Sequence, residues 1–423
     1  MLKKLRLERF KNFNNAELNL DNFTLLLGTN ASGKSNIREA FRFLHGISRG
    51  YTIAEVLGEK WGEGGVLQWR GIRGGTREVA FLGSSTFAIS VVLTFEVDEI
   101  EYEANYRIEV EPDSEINRPR VISEFLRVSL SGKPKDIFQS TIAKEQLGYL
   151  HVDVLCDLSS EDKVEPQKYA ILDNCSFLAD INTNLHIPRS TRNIAGRVLS
   201  VFQSIQFFDL SPEAMRLPSF PGQTILGDRG ENLSSVLQEI CQVPERKQTL
   251  LSWIEELTPM DVSDLEFPAD FTGKVLLHLI EKTGEKISAY SASDGTLRFL
   301  AIAAALLGTN RANLYFFEEL ENGIHPSRLH LLLQMIEQTV VNQNIQIVST
   351  SHSPQLLRLL SPKSLEAASF TYRLPDRKDG GIQRILDIPE ARQVLEKQDI
   401  ARLHDSGWLE DMMYFLEDEE IAE

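Results

Sequence analysis

The chain has 423 residues, 42% of them hydrophobic and 25% charged, the balance of a globular protein with two or three domains. Its formal net charge of −17 at pH 7 excludes a surface that binds nucleic acid everywhere by counterion release, leaving room only for a local basic groove. The longest aliphatic run, Phe299 to Leu307, is far shorter than the roughly 20 residues that span a bilayer, and the start MLKKLRLERFKNF has charges throughout, unlike a signal peptide. No membrane association and a cytoplasmic location are expected.

In chain order, LKKLRLER, AELNL and FTLLLG read as three short strands (2–9, 16–20 and 23–28) separated by Asn-rich turns. Lys3, Lys4, Arg6, Arg9 and Lys11 form the one clear basic cluster, read either as a solvated edge strand or as a nucleic-acid contact. A helix is expected from about Lys34 to His45, because Ile37, Ala40, Phe41 and Leu44 fall on one face. Alternating segments between Ala80 and Leu130 predict an antiparallel sheet, entered through the Gly-rich stretch 62–75. Residues 190 to 260 read as a mostly helical insertion. Strand and helix then alternate: a helix from Thr296 to Leu307, the strand LYFF, a helix from Pro326 to Val340, and the strand IQIVST. That alternation predicts a parallel sheet. The acidic end, EDMMYFLEDEEIAE, reads as a short helix with a frayed tail. Cys156, Cys175 and Cys241 are too scattered for a disulfide framework or a zinc site.

The stretch LLLGTNASGKSN fits GxxxxGK[ST], with Gly28, Gly33, Lys34 and Ser35 in place. Its glycines let backbone N–H groups of Asn30, Ala31, Ser32, Gly33 and Asn36 curl toward phosphate, and the following helix points its positive end there. Lys34 is expected to reach the β and γ phosphates of ATP, and the Ser35 hydroxyl to hold Mg²⁺. An apolar strand before the loop and an amphipathic helix after it supply the required context.

Three further elements carry candidate chemistry. LYFFEELENGIHP puts Glu318 and Glu319 at the carboxyl end of a buried strand, where ligands of parallel sheets bind. One carboxylate there is suited to a metal's water shell, and its neighbour to orienting or deprotonating an attacking water. Ser293, Asp294 and Gly295 open a helix, either as a plain N-cap or as an anion site. IQIVSTSHSP ends a buried strand with His352, a donor or acceptor for phosphate or water.

The order of phosphate loop, Ser-x-Gly helix start, strand-borne carboxylates and strand-end histidine resembles ATPases of the ATP-binding-cassette type. It is closest to the SMC/RecF-like branch and the related OLD-family and abortive-infection (AbiEii-like) ATPases that lack a fused nuclease. The segment LHDSGWLEDMM resembles the closing segment of stand-alone defence ATPases. The resemblance implies an α/β P-loop NTPase fold of ABC/SMC-head type, with a mixed central sheet, an antiparallel β lobe and a mostly helical insertion. It assigns 1–60 and 275–423 to the ATPase core, 61–190 to the β lobe and 191–274 to the insertion.

By the same resemblance, two subunits sandwich two ATP molecules head to tail. Lys34 binds phosphate, Ser35 and Glu318 hold Mg²⁺, and Glu319 is the catalytic base. Ser293 and Gly295 contact the partner's γ-phosphate, and His352 senses it. Glu321, Asn322 and Gly323 fall in the dimer-facing loop, and Gln68 is the nearest candidate for the family's Q-loop glutamine. Two departures stand out: Glu318 occupies a position usually held by Asp, and Asp294 one usually held by Gly. The implied function is an ATP-hydrolysing dimeric switch in bacterial anti-phage defence that controls a separate effector, a nuclease or toxin. The alternative is a RecF/SMC-like repair ATPase that clamps DNA in an ATP-gated way.

Overall fold

Five parallel strands and one antiparallel edge strand make the sheet that carries the phosphate loop. Their order is Ile205–Phe208, Leu314–Phe317, Gln346–Ser351, Phe23–Gly28, Ser369–Tyr372 and Gly381–Arg384, the last running antiparallel to its neighbour. The computed structural model describes residues 1–388 apart from 98, 114–117, 131–132, 144–147, 155–165, 259 and 376, together with Ala391 and Met413. Cys156, the acidic end and, apart from Met413, the closing segment LHDSGWLEDMM lie outside the described residues.

Phe23–Gly28, Leu314–Phe317 and Gln346–Ser351 are buried along their whole length, as the unbroken apolar run LYFF predicts for the second, and with Gln346, Ser349, Thr350 and Ser351 buried in the third. Their side chains alternate between two cores. Leu25, Leu27, Tyr315, Phe317 and Ile347 face one, with the helices Leu233–Cys241, Pro244–Leu257, Asp294–Leu307 and Pro326–Gln343. Leu26, Leu314, Phe316 and Val348 face the other, shared with the helices Lys34–Ser48 and Arg189–Gln203.

That second core is closed by an antiparallel sheet of eight strands. Its order is Gln167–Leu172, Tyr149–Val154, Lys133–Ile142, Arg120–Leu130, Ile100–Glu111, Phe87–Val97, Leu2–Phe10 and Phe13–Asn19. Two strands from the segment 1–60 thus lie in the antiparallel sheet, and Ile205–Phe208, from within 191–274, pairs with the parallel one. The basic strand Leu2–Phe10 is not the edge strand that its charges suggested, because Phe13–Asn19 pairs along its outer side. Its cations meet acids on the same surface: Lys4 with Glu17 at 2.6 Å, Arg6 with Glu8 at 3.5 Å and Arg9 with Glu109 at 2.9 Å.

The helix Lys34–Ser48 is wedged between the sheets. The Phe41 ring lies 5.9 Å from Phe316 of the parallel sheet, and the Phe43 ring 5.5 Å from Phe87 of the antiparallel one. Gln346 joins the sheets more directly. Its side chain accepts from the Leu2 N–H at 2.6 Å and donates to the Leu2 carbonyl at 2.8 Å, an amide completing a backbone pairing. Among the described residues, no helix is long and apolar enough to cross a membrane.

Truncating Phe41 removes a fully buried ring from the seam between the sheets. Phe41→Ala is expected to cost about 3–5 kcal/mol of stability, read as a lower urea midpoint with an unchanged slope.

Candidate nucleotide site

The phosphate loop leaves Phe23–Gly28 and closes at Gly33, whose φ of +119° strains any L side chain. A Cβ there would stand 2.6 Å from the Phe13 ring and 2.7 Å from the Asn12 amide. No side chain caps the helix at Gly33, so its first N–H groups keep their direction toward an anion. Asn12 buttresses the loop from the side: its amide donates to the Ser32 carbonyl at 3.0 Å and accepts from Asn36 Nδ2 at 2.7 Å. The Ser32 hydroxyl lies 2.9 Å from Thr371 Oγ1 on the next strand. Asn30 and Ala31 are exposed at the loop's tip, with Ala31 in the left-handed region at φ 66°.

Lys34 is buried and turned back onto its own loop, donating to the carbonyls of Gly28 and Thr29, the latter at 2.9 Å. Burial brings its pKa down from 10.5 to about 8, against a smaller upward pull from Glu319 and Glu321. Its ammonium lies 3.3 Å from His352 Nδ1, and His352 Nε2 lies 3.4 Å from Glu319 Oε1. Three residues widely separated in sequence therefore form one line: cation, imidazole, carboxylate.

The three glutamates after LYFF have three different surroundings. Glu318 is anchored by its N–H to the Phe208 carbonyl at 2.9 Å, and its carboxylate meets Arg38 Nη1 at 3.1 Å. Burial raises its pKa, Arg38 opposes that, and nearby Asp209 adds to it. Glu319 adopts φ 49°, uncommon for a residue with a Cβ, while its N–H donates to Thr350 Oγ1 at 3.1 Å. The Asn322 amide donates to its second oxygen. Glu321 turns inward: its Oε1 accepts from Ser351 Oγ at 2.5 Å and from the His352 N–H at 3.1 Å. It holds the strand end that presents the imidazole.

Ser293 and Gly295 are not part of that line. Ser293 caps its own helix, its hydroxyl accepting from the Thr296 N–H at 3.1 Å, which is the plainer of the two sequence readings. A Cβ on Gly295 would stand 2.1 Å from the Gly323 carbonyl, so the helix start is pressed against the loop leaving Glu319. Asp294 pairs with Arg216 at 2.6 Å, and Arg216 also donates to the Ala292 carbonyl. The charge that looked out of place beside a phosphate thus has a partner. Gln68 is exposed on the short hairpin Lys60–Trp61/Leu67–Trp69, its side chain folded over Gly62.

Among the described residues, no group of three or more His, Cys, Asp or Glu is arranged to hold a metal. A hydroxyl at Ser35 and a carboxylate at Glu318 suit Mg²⁺ rather than a softer ion, since Mg²⁺ takes one or two protein oxygens and fills its octahedron with phosphate and water. A polar cavity of about 510 Å³, bordered by Arg6, Asn15, Tyr372 and Gly380, opens beside the loop. Its Gly380 N–H donates to the carbonyl of Asn12, the residue that braces Ser32, at 2.8 Å.

Asn12, Arg38, Thr350, Thr371 and Asp209 went unmarked in the sequence. Only Arg38 carried a local signal, four residues after Lys34 and so on the same helix face.

Residues 23–176 and 200–358 match the family described as "AAA domain, putative AbiEii toxin, Type IV TA system". An "ATP/GTP phosphatase" of Helicobacter pylori (strain ATCC 700392 / 26695) is 22% identical over 369 residues, spanning 85% of this chain and 87% of that protein. Among solved structures, the SMC head domain from Thermotoga maritima gives a TM-score of 0.42 at 12% identity, over 91% of this chain and 98% of that one. A Pyrococcus furiosus Smc head bound to the C-terminal domain of ScpA gives 0.49 at 12% identity, over 94% and 98%.

The depressed Lys34 pKa fixes a sign. Below pH 8 the ammonium is charged both folded and unfolded, and its desolvation cost is present in full. Between about 8 and 10.5 the unfolded chain holds more protons, so Lys34's contribution to stability rises with pH and its cost is gone above that window. The stability difference between wild type and Lys34→Met, measured by chemical denaturation from pH 7 to 10.5, is expected to shift toward wild type across that window. A difference that stays flat contradicts the burial of this amine.

Proposed function

We propose a function that proceeds from the family: the chain belongs to this AAA-domain family and is an ATPase, working as a dimeric switch. The observation that carries the reading is His352 set between the phosphate-loop Lys34 and Glu319, at 3.3 and 3.4 Å. A triphosphate on the loop would draw Lys34 off the Gly28 and Thr29 carbonyls and onto its β and γ oxygens. Glu319, steadied by Asn322 and by the Thr350 hydroxyl, accepts the proton of a water aligned with the γ-phosphorus, while His352 bonds the water or the leaving phosphoryl oxygens. Ser35 and Glu318 would hold Mg²⁺, which when bound would offset the negative charge that develops in phosphoryl transfer. The remaining acceleration is positioning and electrostatics, the usual case in phosphoryl transfer.

Ser293 and Gly295 bond and pack on their own side of Glu319 rather than on their own phosphate loop, which supports their use by a second subunit. In the proposed dimer each subunit's loop and the other's Ser293–Gly295 start enclose one ATP, and hydrolysis opens the pair. The toxin–antitoxin description of the family supports a role in anti-phage or abortive-infection defence, and in this reading the switch controls a separate nuclease or toxin as effector. The basic cluster favours this over a DNA clamp, because Lys4, Arg6 and Arg9 are already paired with glutamates.

Glu319→Gln is expected to lower ATP turnover about 10²–10⁴-fold, the range for a lost general base, and to accumulate an ATP-bound dimer by size-exclusion chromatography. Wild-type turnover in that variant, with no dimer, would show that another group activates the water.

A further inference from the structure

Arg38 is the side chain the reading above leaves unexplained. It projects from the phosphate-loop helix one turn beyond Lys34, and its Nη1 lies 3.1 Å from Glu318 Oε1 with both side chains largely buried, 14% and 22% exposed. Its Nε is buried without a hydrogen-bond partner, and its guanidinium sits 6.0 Å over the Phe207 ring, so the pair occupies a poorly hydrated corner. The charges acting on Glu318 are Arg38 on the helix, Asp209 after Ile205–Phe208, Glu319 on its own strand end and Arg73 on the Gly-rich loop, while the adjacent strand Gln346–Ser351 carries none. Arg38 alone among these cations bonds the carboxylate.

A carboxylate that reaches a metal and one that is neutralised by a guanidinium are different states of the same group. Two cations drawn to one partly buried oxygen pair repel each other strongly, because low local dielectric leaves that repulsion weakly screened. An aspartate here would be one methylene shorter and would reach less far toward Arg38. The geometry points to Arg38 as a resident counter-cation of Glu318: it holds the carboxylate in the nucleotide-free protein and competes with the divalent ion for it. Metal then enters well only with nucleotide, whose phosphates supply the negative charge that lets Glu318 be shared. Arg38 is in this sense a positioning residue. The inference rests on the placement of Glu318 at the metal described above.

The test is Mn²⁺ binding, followed by electron paramagnetic resonance on the full chain, without nucleotide and with a saturating non-hydrolysable ATP analogue, so that turnover plays no part. Without nucleotide, Arg38→Gln, which removes the competing charge, and Glu318→Asp, which withdraws the carboxylate from Arg38, are both expected to lower half-saturating Mn²⁺ about five- to tenfold, the scale of one charged hydrogen bond, and with the analogue by less. The double variant should gain little beyond either single change, since both break one contact. A folded Arg38→Gln with an unchanged or higher midpoint overturns the competition. If Arg38→Gln shows no cooperative melting transition, Glu318→Asp decides with the same sign. Glu318→Gln separates the two levels. Should it bind Mn²⁺ as well as wild type, the placement of Glu318 at the metal fails; should it lose Mn²⁺ while Arg38→Gln changes nothing, only the role of Arg38 falls.

Discussion

The helix that follows the phosphate loop has no solvent face, and the rest of the site depends on that constraint. None of its residues from Lys34 to Ser48 is exposed, because one side packs on the parallel sheet and the other on the antiparallel sheet. A polar side chain on such a helix must find a partner at the sheet ends or distort the packing. Arg38 finds Glu318, and buried Glu39 accepts from the Arg73 N–H at 3.2 Å. Lys34 is left with loop carbonyls and an imidazole, a cation already desolvated before any phosphate arrives.

The carboxyl edge of the parallel sheet converts a run of similar residues into distinct roles. Glu318, Glu319 and Glu321 are chemically alike and nearly adjacent, yet one is neutralised by arginine, one is half-exposed beside His352, and one is locked beneath the backbone of the histidine loop. The left-handed turn at Glu319 separates the first from the third, aiming successive side chains in directions that an extended strand would not allow.

Most of this architecture was legible in the sequence because it rests on local signals. Four consecutive apolar residues announce a buried strand, GxxxxGKS announces a loop between strand and helix, and apolar residues at helical spacing announce the face of Lys34–Ser48. The unread parts are non-local. The outer pairing of Phe13–Asn19 against the basic strand, the Asn12 brace under Ser32 and Asn36, and the inward turn of Glu321 each depend on which segments meet in space. Spacing carries no record of that. The bonds of Glu321 are hidden for the same reason: nothing local shows that Ser351 and the His352 N–H converge on it.

The close approach of Gly295 to the Gly323 carbonyl has a mechanical consequence. The loop that ends at Gly323 carries Asn322, whose amide grips Glu319, so a shift of that carboxylate pulls on a backbone segment already in close contact with the helix start. In the proposed head-to-tail pair that helix start would face the other nucleotide. Two such sites would be geared together, so the departure of one phosphate would alter the grip on the second before the subunits part.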